Sequence, residues 1–274
     1  INSIFNNINK STEIEYLLSS DSLNDETNTQ ALLAFDESFN RINAFAKNFE
    51  VFPVVPNYKI IQDDKLNVKG EHFYRLWRNN YDVFVYIDDN INNHIQNKYK
   101  FDLYNINNYF PGQFFQLMNS KSNEKSIQNV ITNKYTNFGW GLFIEKIYID
   151  EGYGESENNL YTLTHLNKFL ELIIKNKMFH DYYMQHKSKT EIISEISELS
   201  IYNNQKIEAL LSELLASPLE TNFTIIGYFK LKQMYDKFII SNSASKDSFY
   251  DILSRSSYLN PDFISNFRLG KFYE

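Results

Sequence analysis

Residues 141–150 have the sequence GLFIEKIYID, a short run rich in β-branched and aromatic side chains. Such residues are enriched in β-strands because they pack well on a pleated surface. The polar, glycine-containing sequence EGYGESENN follows directly and is typical of a loop. The pattern therefore predicts a strand that ends near residue 150.

Four upstream segments have the same character and are separated by polar turns: VFPVVP, NYKIIQ, YDVFVYID and KYKFDLY. Pro53 and Pro56 favour a sheet edge for the first, since proline cannot donate to a strand ladder. The spacing of apolar residues in GEHFYRLWRNN is compatible with either a helix or a strand. FPGQFFQLMNS and NEKSIQNVITNKY are predicted to be helices. Residues 51–150 are thus expected to form a mixed sheet of about four or five short strands.

Helical patterns flank this region on both sides. Apolar residues three and four apart predict an amphipathic helix before the sheet: Leu32, Phe35, Phe39, Ile42, Phe45 and Phe49. After residue 159, Ser188 with Glu191 forms a capping box, and Asn260–Pro261 is a favourable helix start. The expected fold is α+β, with N-terminal helices, a central mixed sheet and a mainly helical C-terminal half.

The distribution of charged residues also divides the chain into two parts. The net charge of −7 lies in an acidic α/β part, residues 1–159, whereas the helical part, residues 160–274, is balanced. We expect the two parts to pack as one body, because no low-complexity linker separates them. Neither part has the basic excess that usually attracts nucleic acid or anionic lipid.

Composition excludes several classes of protein. The chain has only 8 glycines and no G-x-G-x-x-G or Walker sequence, which argues against a Rossmann or P-loop enzyme. The absence of cysteine removes thiol catalysis, thiolate zinc sites and disulfides. The five histidines include no H-E-x-x-H pair, so we assign them no catalytic role. The aromatic content of 16%, with abundant Asn, Ile and Lys, is typical of an AT-rich genome.

The localisation expected from the sequence is cytoplasmic. No apolar run approaches the roughly 20 residues that cross a bilayer, and the first twenty residues lack the order of a signal peptide. The chain begins at Ile1 rather than Met, so the sequence is also compatible with a leader segment that has been removed.

The leading functional hypothesis is a non-catalytic protein that binds another macromolecule, with a protein as the expected partner, and that needs no cofactor or metal. Phe73, Arg75, Trp77 and Arg78 form an aromatic and arginine cluster of the kind that is enriched at interfaces. The alternative is that Phe73 and Trp77, four residues apart, are core residues of a helix.

A second hypothesis is a Mg²⁺-dependent nuclease. Glu50 precedes a possible hairpin, and Asp63 and Lys65 follow it as a D-x-K pattern. In such sites the acids hold Mg²⁺ and the lysine orients or activates water. Short acid-x-Lys patterns also arise by chance in a charged chain.

A third hypothesis is DNA binding by a helix-turn-helix-like hairpin at residues 190–215. Asn203, Asn204 and Gln205 open its second helix and could offer amides to base edges. Lysines are outnumbered by glutamates nearby, which favours a structural helical hairpin instead.

Overall fold

The computed structural model describes residues 29–52, 58–62, 73–76, 83–87, 98–120, 132–241 and 245–269. The helices of these residues are α1 (Thr29–Ala46), α2 (Lys98–Asn108), α3 (Gln113–Ser120), α4 (Lys134–Asp150), α5 (Asn158–Phe179), α6 (Lys189–Leu199), α7 (Asn204–Ala216), α8 (Pro218–Tyr235), α9 (Lys246–Ser254) and α10 (Pro261–Phe263). Short π-helical turns continue α5, α8 and α10 through Met184, Ser241 and Leu269.

The expected α+β fold built on a central sheet is wrong, because the described part of the chain is mainly helical. KYKFDLY lies in α2 and GLFIEKIYID lies in α4 rather than in strands. Twelve of the seventeen residues of α4 are buried, so the helix is apolar on nearly every side. A helix surrounded by others loses the polar face that marks helical periodicity, and tertiary burial then overrides the weak preference of β-branched residues.

Three short segments have strand geometry: β1 (Tyr58–Gln62), β2 (Phe73–Leu76) and β3 (Val83–Ile87). Their order is β1–β3–β2, with β1 parallel and β2 antiparallel to β3. The buried hydrophobic residues in the described part of the chain lie instead in the helices and the turns that join them. The core is therefore formed by helix packing.

The main core is built around the crossing of α4 and α8. An added Cβ at Gly139 would lie 2.4 Å from the backbone of Gly227, and one at Gly227 would lie 1.9 Å from the carbonyl oxygen of Tyr135. The two glycines thus allow the helix backbones to touch. The same core contains many large aromatic side chains, among them the buried Trp140 and Phe52.

A second apolar cluster joins α5, α6 and α7. Ser188 accepts a hydrogen bond from the backbone of Glu191, and the Glu191 side chain accepts one in return, so the predicted capping box is confirmed. The predicted start at Asn260–Pro261 is confirmed in the same way. The hairpin of α6 and α7 buries its apolar face against α5, which is the arrangement of a packed structural element. The boundary proposed between residues 159 and 160 stays a prediction.

Candidate functional site

Several polar side chains meet around a buried glutamate in the helical body. Glu145 on α4 is 0% exposed, and its Oε1 lies 2.8 Å from His165 Nδ1. Its Oε2 accepts hydrogen bonds from Lys168 Nζ at 2.6 Å and from Asn107 Nδ2 at 2.9 Å. His165 and Lys168 are three residues apart on α5 and so share one face of that helix.

The same group of side chains extends to α3. Gln113 Nε2 donates to Asn107 Oδ1 at 3.0 Å and to Asn108 Oδ1 at 3.3 Å. A Cβ at Gly141 would lie 2.6 Å from Asn107 Oδ1, so the glycine lets α2 approach α4 closely enough for this contact. We call Asn107, Gln113, Glu145, His165 and Lys168 the Glu145 cluster. It connects α2, α3, α4 and α5.

The environment of Glu145 determines its charge. Burial alone would raise its pKa, but the charge of Lys168 and the hydrogen bond from His165 outweigh burial and lower the pKa to about 2. The carboxylate is therefore ionised at neutral pH. Because it is ionised, it acts only as an acceptor, and Nδ1 of His165 donates to it.

A second buried carboxylate lies on α2. Asp102 is 0% exposed and accepts two hydrogen bonds from Arg41, from Nε at 2.9 Å and from Nη2 at 2.7 Å. The hydroxyl groups of Tyr153 and Tyr161 donate to its Oδ2 at 3.0 and 2.6 Å. The hydrogen bond to Asp102 raises the pKa of Arg41, and burial followed by the charge of Asp102 raises the pKa of both tyrosines. We call these four residues the Asp102 cluster.

Both clusters use the carboxylate oxygens for internal contacts. Each oxygen of Glu145 and Asp102 accepts at least one hydrogen bond from a side chain of the same protein. In the ranges that the structure describes, no three His, Cys, Asp or Glu side chains are grouped to hold a metal ion. The geometry is that of buried charges that are paired and hydrogen-bonded between helices, as buried carboxylates in proteins usually are.

A partly enclosed cavity of about 490 Å³ lies between α2, α5 and the start of α7. Its lining includes the charged residues Lys100, Glu171 and Lys206 and the polar residues Asn167 and Tyr202. The Lys206 ammonium contacts Glu171 Oε1 at 2.9 Å, and Tyr202 donates to Asn167 Oδ1 at 2.6 Å. The cavity is thus polar and carries both signs of charge.

An apolar stripe lies exposed on α8. Leu219, Ile226 and Phe229 are 53%, 40% and 47% exposed, and their spacing of seven and three residues places them on one face of the helix. We call these three residues the α8 stripe. The neighbouring lysines are paired, with Lys230 bound to Asp262 and Lys232 bound to Asp236.

The residues of the nuclease hypothesis are only partly described. Glu50 is exposed in the turn that follows α1, while Asp63 and Lys65 lie outside the described residues. For the interface hypothesis, Phe73 and Arg75 belong to β2, and Trp77 and Arg78 lie outside the described residues. Both sets of residues remain predictions.

The amides of the DNA-binding hypothesis lie at the start of α7. Asn203 is the N-cap, and its side chain accepts a hydrogen bond from the backbone of Lys206 at 2.9 Å. Asn204 and Gln205 are exposed in the first turn. The side-chain oxygen of Asn203 has a structural role in this arrangement, and DNA binding by the hairpin stays a prediction.

Sequence patterns did not reveal the buried ionic residues. The strand predicted around Glu145 is a helix, and no role was expected for His165. The sequence feature that could have indicated a buried charge is the pair Glu145 and Lys146 within the otherwise apolar run GLFIEKIYID. Buried charge is expensive unless it is paired, so such an interruption indicates a partner elsewhere in the chain.

Comparisons with known proteins support the helical fold alone. No family model matches the chain, and no curated protein matches it. The fold is similar to a crystal structure described as "the putative lipoprotein from Colwellia psychrerythraea", with a TM-score of 0.77 and 14% sequence identity. The similarity covers 99% of this chain and 49% of the other, so this chain spans about half the length of that protein. Among the described residues, no helix has the length and hydropathy needed to span a membrane.

Proposed function

We propose that this protein is a non-catalytic helical protein that binds a protein partner through the α8 stripe. The observation that carries the proposal is the exposure of Leu219, Ile226 and Phe229 along one face of a well-formed helix. Exposed apolar side chains that share one face of a helix are typical of surfaces that another protein covers.

The charges beside the stripe support a protein partner over a polyanion. Lys230 and Lys232, which follow the stripe along α8, each form an ion pair with an aspartate, so the charge of these two lysines is compensated. A nucleic-acid surface requires cations directed at phosphates. An apolar stripe next to neutralised pairs is better matched by the apolar centre of a protein interface with a polar rim.

The buried carboxylates support a non-catalytic role. A general acid or base works best when its pKa lies near the operating pH and when it can reach the substrate. Glu145 is fully buried, its oxygens accept three internal hydrogen bonds, and its pKa is lowered to about 2. These properties suit a structural ion pair. The cytoplasmic location expected from the sequence is part of the same proposal, and the absence of cysteine is compatible with it.

Photo-crosslinking in cells of the source organism tests the proposal. A photoreactive amino acid at position 229 should give a discrete adduct with one protein, while the same group at Glu208, exposed on α7, should not. The additional change Ile226→Glu should abolish the adduct, because it places a charge in the stripe. An identical adduct pattern at both positions, or an adduct that persists with Ile226→Glu, would contradict the proposal.

A further inference from the structure

The exposed face of α8 has the same chemical order in both directions along the helix. Four residues follow one another at spacings of four, three and four: Asn222, Ile226, Phe229 and Gln233. These spacings place them on one face of the helix. From either end, the order is an amide, two apolar side chains and an amide. The face is therefore symmetric about a point between Ile226 and Phe229.

A residue of α5 widens the apolar part of this face. The rings of Phe169 and Phe229 lie 6.0 Å apart, and Asn176 donates a hydrogen bond to Asn222, so that α5 lies beside α8. Ile173 lies between Phe169 and Asn176 on the same side of α5, and it is 44% exposed. The α8 stripe and Ile173 thus form one apolar surface across two helices.

This surface is large enough for a weak interface. Its four apolar side chains are between 40% and 53% exposed: Ile173, Leu219, Ile226 and Phe229. A large apolar side chain presents on the order of 150 Å² to water when it is fully exposed, so the four together present on the order of 300 Å². Because somewhat more than half of an interface is apolar, the contact would bury about 500 Å² on each partner. A total of about 1,000 Å² is the lower limit for a specific interface.

The symmetry of the face fits a second copy of the same chain. In a two-fold interface the same patch is used on both copies, so that residue i contacts residue j and j contacts i. Two antiparallel α8 helices place Ile226 of each copy against Phe229 of the other. The same register places the amide of Asn222 beside the amide of Gln233, and two amides can donate to and accept from each other.

The charges of α8 are compatible with this arrangement. Lys230 and Lys232 are each paired with an aspartate of their own chain. Glu220 is exposed near the start of α8, and Lys237 is exposed just after its end. Antiparallel packing brings the start of one helix to the end of the other, so opposite charges approach each other. A parallel pair would instead place like charges together.

We propose that the α8 stripe binds the α8 stripe of a second copy of this chain in an antiparallel, two-fold homodimer. The proposal rests on the protein-binding function proposed for the stripe and names the partner. Since the interface is small, the dimer is weak, with a dissociation constant in the micromolar range.

Sedimentation equilibrium of the purified full chain tests the homodimer. The apparent mass should rise from 32.5 kDa towards twice that value as the concentration increases from about 1 to about 500 µM. Ile226→Glu should weaken association by at least about tenfold, because it places a charge at the centre of the interface. Leu199→Glu is the matched control at an exposed apolar residue of α6 and should leave association unchanged. Circular dichroism confirms that both variants are folded.

Single cysteines test the orientation, since the chain has no cysteine of its own. In the antiparallel dimer, position 222 of one copy lies opposite position 233 of the other. Identical positions are then separated by eleven residues, about 16 Å along the helix, whereas a disulfide requires Cα atoms within about 7 Å. Mild oxidation should therefore link a mixture of Asn222→Cys and Gln233→Cys, and should not link either variant alone.

The homodimer is overturned if the chain stays monomeric at about 500 µM, or if Ile226→Glu associates as strongly as the wild type. Disulfides formed by each cysteine variant alone would overturn the antiparallel arrangement. Photo-crosslinking from position 229 separates these results from failure of the proposed function. An adduct with a different protein, together with a monomeric purified chain, overturns the homodimer and retains the protein-binding function. An adduct with a second copy of this chain supports both.

Discussion

Replacement of Glu145 by glutamine removes one buried charge and preserves the shape of the side chain. In the wild-type protein the pKa of Glu145 is lowered from 4.5 to about 2. Each pKa unit corresponds to roughly 1.4 kcal/mol in favour of the ionised form. The ionised carboxylate thus stabilises the fold by about 3 kcal/mol at neutral pH, or about 2 kcal/mol once the partial exposure of Lys168 is allowed for. Glu145→Gln should lower the free energy of unfolding by this amount at pH 7.

The lowered pKa of Glu145 also determines how the stability lost in Glu145→Gln depends on pH. A depressed pKa gives stability that is fully present above the unfolded value of 4.5 and is lost as pH falls towards the folded value of about 2. The difference between wild type and Glu145→Gln should therefore be constant from pH 7 to pH 5 and shrink below pH 4.5. Urea unfolding followed by circular dichroism at each pH measures it.

The matched control is Glu208→Gln, a glutamate exposed on α7, which should change stability little at any pH. If Glu145→Gln is as stable as wild type at pH 7, the Glu145 cluster does not stabilise the fold. If the loss of unfolding free energy in Glu145→Gln is the same at pH 7 and pH 3, the loss does not arise from the ionisation of Glu145.

Two further predictions concern packing and capping. Gly227→Ala should cost about 1–3 kcal/mol or more, because the new Cβ would lie 1.9 Å from the carbonyl oxygen of Tyr135 and force α4 and α8 apart; thermal unfolding measures the loss. Asn203→Ala should cost about 1 kcal/mol, because its side chain caps α7 through the backbone of Lys206; urea unfolding measures this smaller effect.

Each of these changes has an internal comparison. Gly152 has a φ of +94° and no atom near the position of an added Cβ, so Gly152→Ala should cost only the backbone strain. A loss of less than about 1 kcal/mol for Gly227→Ala would contradict the close approach of α4 and α8. Retention of full helix stability in Asn203→Ala would contradict its capping role, whereas Asn203→Asp should preserve the cap.

The helices with one apolar face could be predicted from the sequence. The stripe that includes Phe35, Phe39 and Ile42 predicts α1, and all three residues are buried in the structure. The stripe identified the helix because one side of α1 faces solvent and is polar. Capping residues such as Ser188 indicated helix starts for the same local reason, since the hydrogen bonds involve residues close in sequence.

The central helix α4 could not be predicted in this way. Trp140, Ile144 and Tyr148 are buried together with their neighbours on the other sides, so hydrophobicity does not repeat with the period of a helix. Local preference then favours a strand for β-branched and aromatic residues. The error follows from the position of α4 inside the bundle, which is a property of the whole fold.

The Glu145 cluster could not be predicted from local sequence patterns for a related reason. Its members come from four helices, and contacts such as Asn107 to Glu145 join residues 38 positions apart. Only His165 and Lys168 have the i, i+3 spacing that a sequence pattern can show. Which charged residues are buried depends on how the helices pack, and a single sequence does not give that packing.

The pKa of Glu145, measured by an NMR titration of its side-chain carboxyl carbon, tests the central claim that the buried charges are structural. We predict that Glu145 stays ionised through pH 4, with a pKa of about 2 set by Lys168 and His165. A pKa near or above 6, as a general acid or base requires, would contradict this claim and point to catalysis at this position.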